Sequence, residues 1–283
     1  MDISTLSRSA PILKHNYDTY SNATMFSIIV PTHNRPALLS RTLKSLSEQT
    51  YKNFVVIIVS DSASTLPPYE DLRALEGHYV YVLRSGQAGP AESRNLGLAV
   101  ATSKYVIFLD DDDTFEPGHL EVLANRIGNK PPELIFCDFK VCNEDRTKTP
   151  PEHLSTAEIT IASVTRDSTF IINRIPNSCL AYRKDVVANI SFDVNMIIYE
   201  DWDFLLKCLR KYSLTYLPIN SVVIHKSIAD APENMRRGNS RDDLLVETML
   251  GLYKKHPVKK METRLERQAL MARAGVVVKL ADC

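Results

Sequence analysis

The sequence predicts an α/β protein with an open sheet covered by helices on both faces. Three observations predict it. From Met25 onward, short β-branched runs alternate with stretches of helical periodicity. Each run is apolar throughout instead of alternating with polar residues, so its two faces are both expected to be buried. The unusual polar residues collect just after the strands, where ligands of open α/β sheets bind.

The elements follow in order. "FSIIVPTHN" reads as a buried strand. Pro36 suits the first turn of a helix whose apolar face is Leu39, Leu43 and Leu46, and "FVVIIVSD" is the next strand. "YVYVLRS", a helix around Ala91 to Ala101 and "YVIFLD" continue the series. Beyond Pro117, "HLEVLANRIG" reads as a helix and "ELIFCDFKVC" as a strand, while residues 143–158, rich in charge, Thr and Pro, read as a surface loop. Strand-like pieces are expected at Ile159–Val164 and Ser178–Tyr182, then a helix opening at "YEDWDFLLKCLRKY" and a strand at "LTYLPINSVVIH". Composition divides the chain into an N-terminal extension, 1–24, a main body, 25–226, and a C-terminal helical region, 227–283.

With 283 residues, 44% of them hydrophobic, the chain can bury a sizeable core. Its 34 basic and 34 acidic residues cancel, so no global field selects nucleic acid as a partner. Cys137, Cys142, Cys179, Cys208 and Cys283 show no zinc-type pairing and read as reduced thiols of a cytoplasmic protein. "FVVIIV" is too short to span a bilayer, and the opening residues lack an apolar signal region.

The chemistry centres on "YVIFLDDDDTFEP". Two unit charges about 4 Å apart repel by roughly 4 kcal/mol at an effective dielectric near 20, so Asp110 to Asp113 need an answering charge or water. Asp110 and Asp112 at a strand end are hard oxygen donors of the kind that suit Mn2+ or Mg2+ bridging to a substrate phosphate. Asp113 reads as a helix N-cap. Arg94, near a helix opening, faces either a diphosphate or one of these Asp residues. Glu200 and Asp201 sit at a helix start, where one of them can serve as a base or both as ordinary first-turn charges. His225 ends a strand, as a metal or phosphate ligand or as a structural residue. Gly89 and Gly97 make neither a P-loop nor a dinucleotide fingerprint.

"FSIIVPTHNRPALLSRTLKSLSEQTYKNFVVIIVSD", "GPAESRNLGLAVATSKYVIFLDDDDTFEP" and "YEDWDF", in this order and spacing, resemble the family 2 inverting glycosyltransferases, over roughly residues 25 to 225. The resemblance implies the GT-A fold, an open mixed sheet flanked by helices, here with a C-terminal helical extension. It implies transfer of a sugar from a nucleotide-diphospho-sugar, UDP-sugar favoured, to a glycan or lipid-linked acceptor, with Mn2+ or Mg2+ as cofactor, in surface polysaccharide or glycoconjugate synthesis.

Carried over by position, Pro31, Thr32, His33, Asn34 and Arg35 line the nucleotide pocket, and Asp61 contacts the base. "SDSAS" departs from the family pattern there, with Ser60 for the first acid and Ala63 for a glycine, which leaves the base preference less defined. Arg94 lies near the diphosphate. Asp110, Asp111 and Asp112 form the Asp-X-Asp motif, with Asp110 and Asp111 also expected to touch the nucleotide, Asp112 the direct metal ligand, Asp110 its companion and His225 a late His that approaches metal or diphosphate in some members. Asp201, ahead of Glu200, is the catalytic base.

Two alternatives stay open: a catalytically silent nucleotide-binding relative, and a sugar-phosphate nucleotidyltransferase, which would be expected to carry a Gly-rich loop where this chain has "PTHNRP". Lys254, Lys255, Lys259, Lys260, Arg264, Arg267 and Arg273 make the tail locally basic. It is expected either to touch the inner face of an anionic membrane or to be a solvated or oligomer-forming helix face.

Overall fold

All seven residues of β2 (Phe26–Thr32) and of β3 (Phe54–Ser60) are buried, as strands covered on both faces require. A computed structural model of the chain describes residues 12–13, 24–62, 67–75, 77–128, 130–228 and 244–283. Most of the 1–24 extension, Ala63 and the 229–243 opening of the C-terminal region lie outside the described residues.

A short β1 (Ile12–Leu13) precedes β2. Then come α1 (Pro36–Ser47), β3, α2 (Tyr69–Ala74), β4 (Tyr79–Leu83), α3 (Pro90–Val100) and β5 (Tyr105–Phe108). The chain continues through β6 (Thr114–Phe115), α4 (His119–Ile127), β7 (Leu134–Asp145), β8 (Glu152–Ile159), α5 (Arg166–Thr169) and β9 (Leu180–Arg183). It ends with α6 (Glu200–Leu209), β10 (Leu214–Ser227), α7 (Leu245–Lys255) and α8 (Met261–Arg273).

The sheet order is β1-β4-β3-β2-β5-β9-β7-β10-β6, with β8 added to β7. β4, β3, β2 and β5 run parallel to one another, whereas β1 is antiparallel to β4 and β9 is antiparallel to β5 and to β7. The sheet is therefore mixed. The series β2-α1-β3-α2-β4 grows to one side of β2, and β5 pairs on its other side. That reversal leaves a crevice at the carboxyl ends of β2 and β5. Pro36 opens α1, and its Leu39, Leu43 and Leu46 are buried as the periodicity predicts. α3 lies so close to β2 that a Cβ on Gly97 would collide with the Ile29 side chain, so only glycine fits there.

Three local expectations are corrected. Residues 143–158 are not a loop, because β7 runs on to Asp145 and β8 returns beside it. β8 is solvent-exposed along almost its whole length and is held by its backbone ladder, so no apolar alternation announces it. Ile159–Val164 is not a strand: β8 stops at Ile159, and the Thr165 side chain caps α5 just beyond. Asp113 does not cap a helix, since β6 follows it and α4 begins only at His119.

The C-terminal helices pack on the body. The Tyr253 hydroxyl donates to the Ile171 carbonyl at 2.7 Å, and His256 Nε2 meets Asp203 of α6 at 2.7 Å. Arg267 is buried and donates to the carbonyls of Phe170 and Cys283, both at 2.8 Å. Much of the basic tail is thus committed internally, with Lys255 on Asp193 and Lys260 on Asp167. All five cysteines are free thiols and buried. Among the described residues no helix is long and apolar enough to cross a membrane.

Candidate active site

The end of β2 and the turn after β5 meet across the crevice. Thr32 Oγ1 donates to Asp111 Oδ2 at 2.7 Å, and Arg35, at the N-cap of α1, reaches both Asp111 oxygens. Burial pushes the Asp111 carboxyl up to about 7 against the pull of the Arg35 guanidinium. Asp111, expected to touch nucleotide, is fully buried and ties the two strand ends together. Between Thr32 and Arg35 the backbone passes through Asn34 at φ 49°, an uncommon conformation that turns His33 outward. The His33 side chain is 60% exposed, with Nδ1 held at 2.6 Å by Asp61 Oδ1.

Asp61, just past β3, is the hub of the wall that carries His33. Its Oδ2 accepts from Arg84 Nη2 at 3.1 Å and from the Gly89 backbone N–H at 2.7 Å. The side chain is only 3% exposed. Its carboxylate therefore fixes the loop between β4 and α3 as well as His33.

On the opposite side, Arg94 of α3 joins two distant parts of the sequence. Nη2 donates to Asp110 Oδ1 and Nη1 to Glu200 Oε1, each at 2.7 Å, and the guanidinium lies 5.5 Å from the Phe192 ring centroid. It bridges the acidic turn and the acidic pair of α6. Tyr199 precedes that pair with φ 63°, so strained backbone sits beside Glu200 and Asp201. Asp201 Oδ1 accepts from the Trp202 backbone N–H at 2.7 Å. Burial and the neighbouring Glu200 charge push the Asp201 carboxyl up to about 6, with Arg94 opposing.

Asp112 and Asp113 are held from behind. Arg146 Nη1 donates to Asp112 Oδ2 at 3.0 Å, and Arg41 Nη2 donates to the Asp112 carbonyl at 2.9 Å. Asp113 accepts from the Ser178 hydroxyl at 2.7 Å and from the His225 backbone N–H at 3.2 Å. The His225 ring itself faces Glu144 through Nδ1 at 3.2 Å and Thr114 Oγ1 through Nε2 at 3.0 Å. Burial lowers its pKa, so the neutral ring has both nitrogens engaged and is not gathered with the acidic turn. Sequence reasoning missed Arg41, Glu144, Arg146, Ser178 and Arg84. Arg41 looks like any polar position on an amphipathic helix, and Glu144 with Arg146 looks like part of a charged loop.

Asp110, Asp112 and Asp113 each offer a carboxylate oxygen within 4.8 Å of the others. Around them, the carboxylates of Asp110–Asp113, Glu144, Glu200 and Asp201 outnumber the guanidiniums of Arg35, Arg41, Arg94 and Arg146 by three. Hard donors in a surplus of negative charge fit Mg2+ or Mn2+. Cys142, Glu144 and His225 also cluster, but Glu144 already carries two arginines and fits a cation poorly.

Residues 27–190 match the model of glycosyl transferase family 2. An uncharacterized glycosyltransferase of Haemophilus influenzae is 31% identical over 247 residues, covering 84% of this chain and 79% of the relative. The amylovoran biosynthesis glycosyltransferase AmsB of Erwinia amylovora is 27% identical over 206 residues, covering 68% of this chain and 65% of its own. Residues 1–349 of S. aureus TarS, solved in complex with UDP-GlcNAc, superpose with a TM-score of 0.64 at 18% identity, covering 88% of this chain and 72% of that one. The strand order around the β2–β5 crevice, the acidic turn within it and these matches lead to one conclusion: the chain belongs to glycosyl transferase family 2 and is a glycosyltransferase with the GT-A fold.

Proposed function

We propose that the chain transfers a glycosyl group, with inversion, from a UDP-sugar to an acceptor hydroxyl in surface polysaccharide or glycoconjugate synthesis. The observation that carries this reading is Arg94, whose guanidinium places the acidic turn and the acidic pair on either side of one site. The UDP-GlcNAc bound to TarS and the part of AmsB in amylovoran biosynthesis support the donor class and the setting.

The donor's nucleoside lies against Pro31, Thr32, His33, Asn34 and Arg35, with His33 presented by Asp61. Asp112, with Asp110, would hold Mn2+ or Mg2+, which when bound supplies a Lewis acid for the charge growing on the departing diphosphate. Arg94 keeps a permanent positive charge beside that region and fixes Glu200. Asp201 is then the base. Its Oδ1 is held by the Trp202 N–H, and among the described residues no hydrogen-bond donor takes Oδ2. Oδ2 accepts the proton of the acceptor hydroxyl as that oxygen bonds the anomeric carbon and the bond to the diphosphate oxygen breaks. A carboxyl brought up to about 6 is ionised at neutral pH yet more basic than an ordinary aspartate.

Lys254, Lys259 and Arg273 stay exposed on the C-terminal helices and offer a weak basic surface to anionic lipid that presents an acceptor. Salt-sensitive sedimentation with anionic liposomes tests that contact, and no binding at low salt removes it.

The test of the main reading is a proton NMR assay of the product formed from an α-linked UDP-sugar with Mn2+. A β-linked product is expected. An α-linked product, or no transfer from any UDP-sugar, would overturn the proposal.

A further inference from the structure

Arg146 sits in the turn between β7 and β8, yet its side chain is 0% exposed. It therefore cannot touch a donor or an acceptor. Among the described residues its nitrogens reach three groups: Nη1 donates to Asp112 Oδ2 at 3.0 Å, Nε to Glu144 Oε1 at 2.6 Å and Nη2 to the His225 carbonyl at 2.9 Å. Glu144 Oε2 accepts from Arg41 Nη1 at 2.7 Å, and Arg41 Nη2 returns to the backbone carbonyl of Asp112 at 2.9 Å. The ring is closed. Asp112 is hydrogen-bonded at its carboxylate by Arg146, with Arg35 Nη1 3.7 Å from the same oxygen, and at its carbonyl by Arg41, and Glu144 locks Arg146 and Arg41 together.

We infer that Arg146, Glu144 and Arg41 are positioning residues that fix the orientation of Asp112 for its role as metal ligand. The inference rests on the metal-dependent reading above. Two features favour a positioning role over simple stabilisation. Buried ion pairs contribute little net stability compared with well-packed apolar side chains, so a core could be built here without them. Moreover, β8 is exposed along almost its whole length, and the inner end of the hairpin, Glu144 and Arg146, is what reaches the acidic turn. Arg146 holds one oxygen of Asp112, and among the described residues no hydrogen-bond donor holds the other. Partners behind a metal ligand orient it in this way, and their loss costs metal affinity. The rigid planar fork of arginine makes three directed bonds that lysine, with one nitrogen, cannot reproduce.

The experiment measures Mn2+ affinity of the protein–UDP complex by electron paramagnetic resonance of free Mn2+, for wild type, Arg146→Lys and Glu144→Gln. UDP affinity without metal and the thermal unfolding midpoint are recorded in parallel. The expected result is a loss of Mn2+ affinity of about 10- to 100-fold in a folded variant, with metal-free UDP affinity unchanged. Glu144→Gln removes a charge without removing volume and reads the same property if Arg146→Lys does not fold. Mn2+ affinity within about twofold of wild type in either folded variant would overturn the inference and leave the metal reading standing. If wild type shows no Mn2+-dependent UDP binding, the metal reading fails and the inference falls with it.

Discussion

The acidic turn after β5 and the acidic pair opening α6 carry the same functional group and are held in opposite ways. In the turn, Asp110 meets Arg94, Asp111 meets Thr32 and Arg35, Asp112 meets Arg146, and Asp113 meets Ser178 and the His225 N–H. Each carboxylate has a fixed partner. In the pair, Glu200 is taken by Arg94, but the hydrogen bond to Asp201 comes from one backbone N–H, next to a residue in left-handed backbone. Its burial is left less compensated, which raises its proton affinity. Asp111 is pushed higher still, to about 7, although Thr32 and Arg35 hold it, so proton affinity alone does not separate the two groups. What separates them is the tether: side chains from other elements hold each carboxylate of the turn, whereas a local backbone N–H holds Asp201, in keeping with the holder and base roles proposed above.

The sharpest way to break the comparison is to remove a holder. Asp112→Ala is expected to abolish Mn2+-dependent UDP binding, a loss larger than the roughly 10- to 100-fold that an outer-shell partner costs. Calorimetry with and without Mn2+ reads it, and retained metal dependence would mean the metal sits elsewhere.

A smaller effect is expected on the wall proposed to hold the nucleoside. Asp61→Ala removes the anchor of His33, Arg84 and Gly89, and hydrogen bonds to a charged group of this kind are worth roughly 1.5–3 kcal/mol, so UDP affinity should fall about tenfold or more. Mn2+ affinity without nucleotide should not change. Unaltered UDP affinity would show that the wall does not depend on Asp61.

Why only part of this was legible follows from what each segment buries. Strands β2, β3 and β5 announce themselves because they are apolar on both faces, and Leu39, Leu43 and Leu46 mark α1 by spacing alone. β8 does not, because backbone pairing holds an exposed, polar strand whose composition resembles a loop. In the site, the carboxylates stand out as an unanswered repulsion along the sequence, whereas the arginines that answer them come from the N-cap of α1, from α3 and from the β7–β8 turn. Those pairings span between 16 and 76 residues and exist only after folding.

The smallest expected effect concerns pH. In the proposed mechanism transfer requires ionised Asp201, so kcat/KM should fall as pH drops through about 6. In Glu200→Gln the neighbouring negative charge is gone and Arg94 is released to face Asp201, and both changes lower the Asp201 pKa. The acid limb should therefore move to lower pH, and a limb that stays in place or moves up would separate Glu200 from the base.

The most direct measurement pairs two readings on Asp201→Asn: UDP affinity in the presence of Mn2+, and the turnover of an accepted UDP-sugar. Binding close to wild type with turnover reduced by about 10²- to 10⁴-fold is the expected result, because the holder is intact and the base is lost. Near wild-type turnover, or donor binding lost along with transfer, would contradict the division between the two acidic groups.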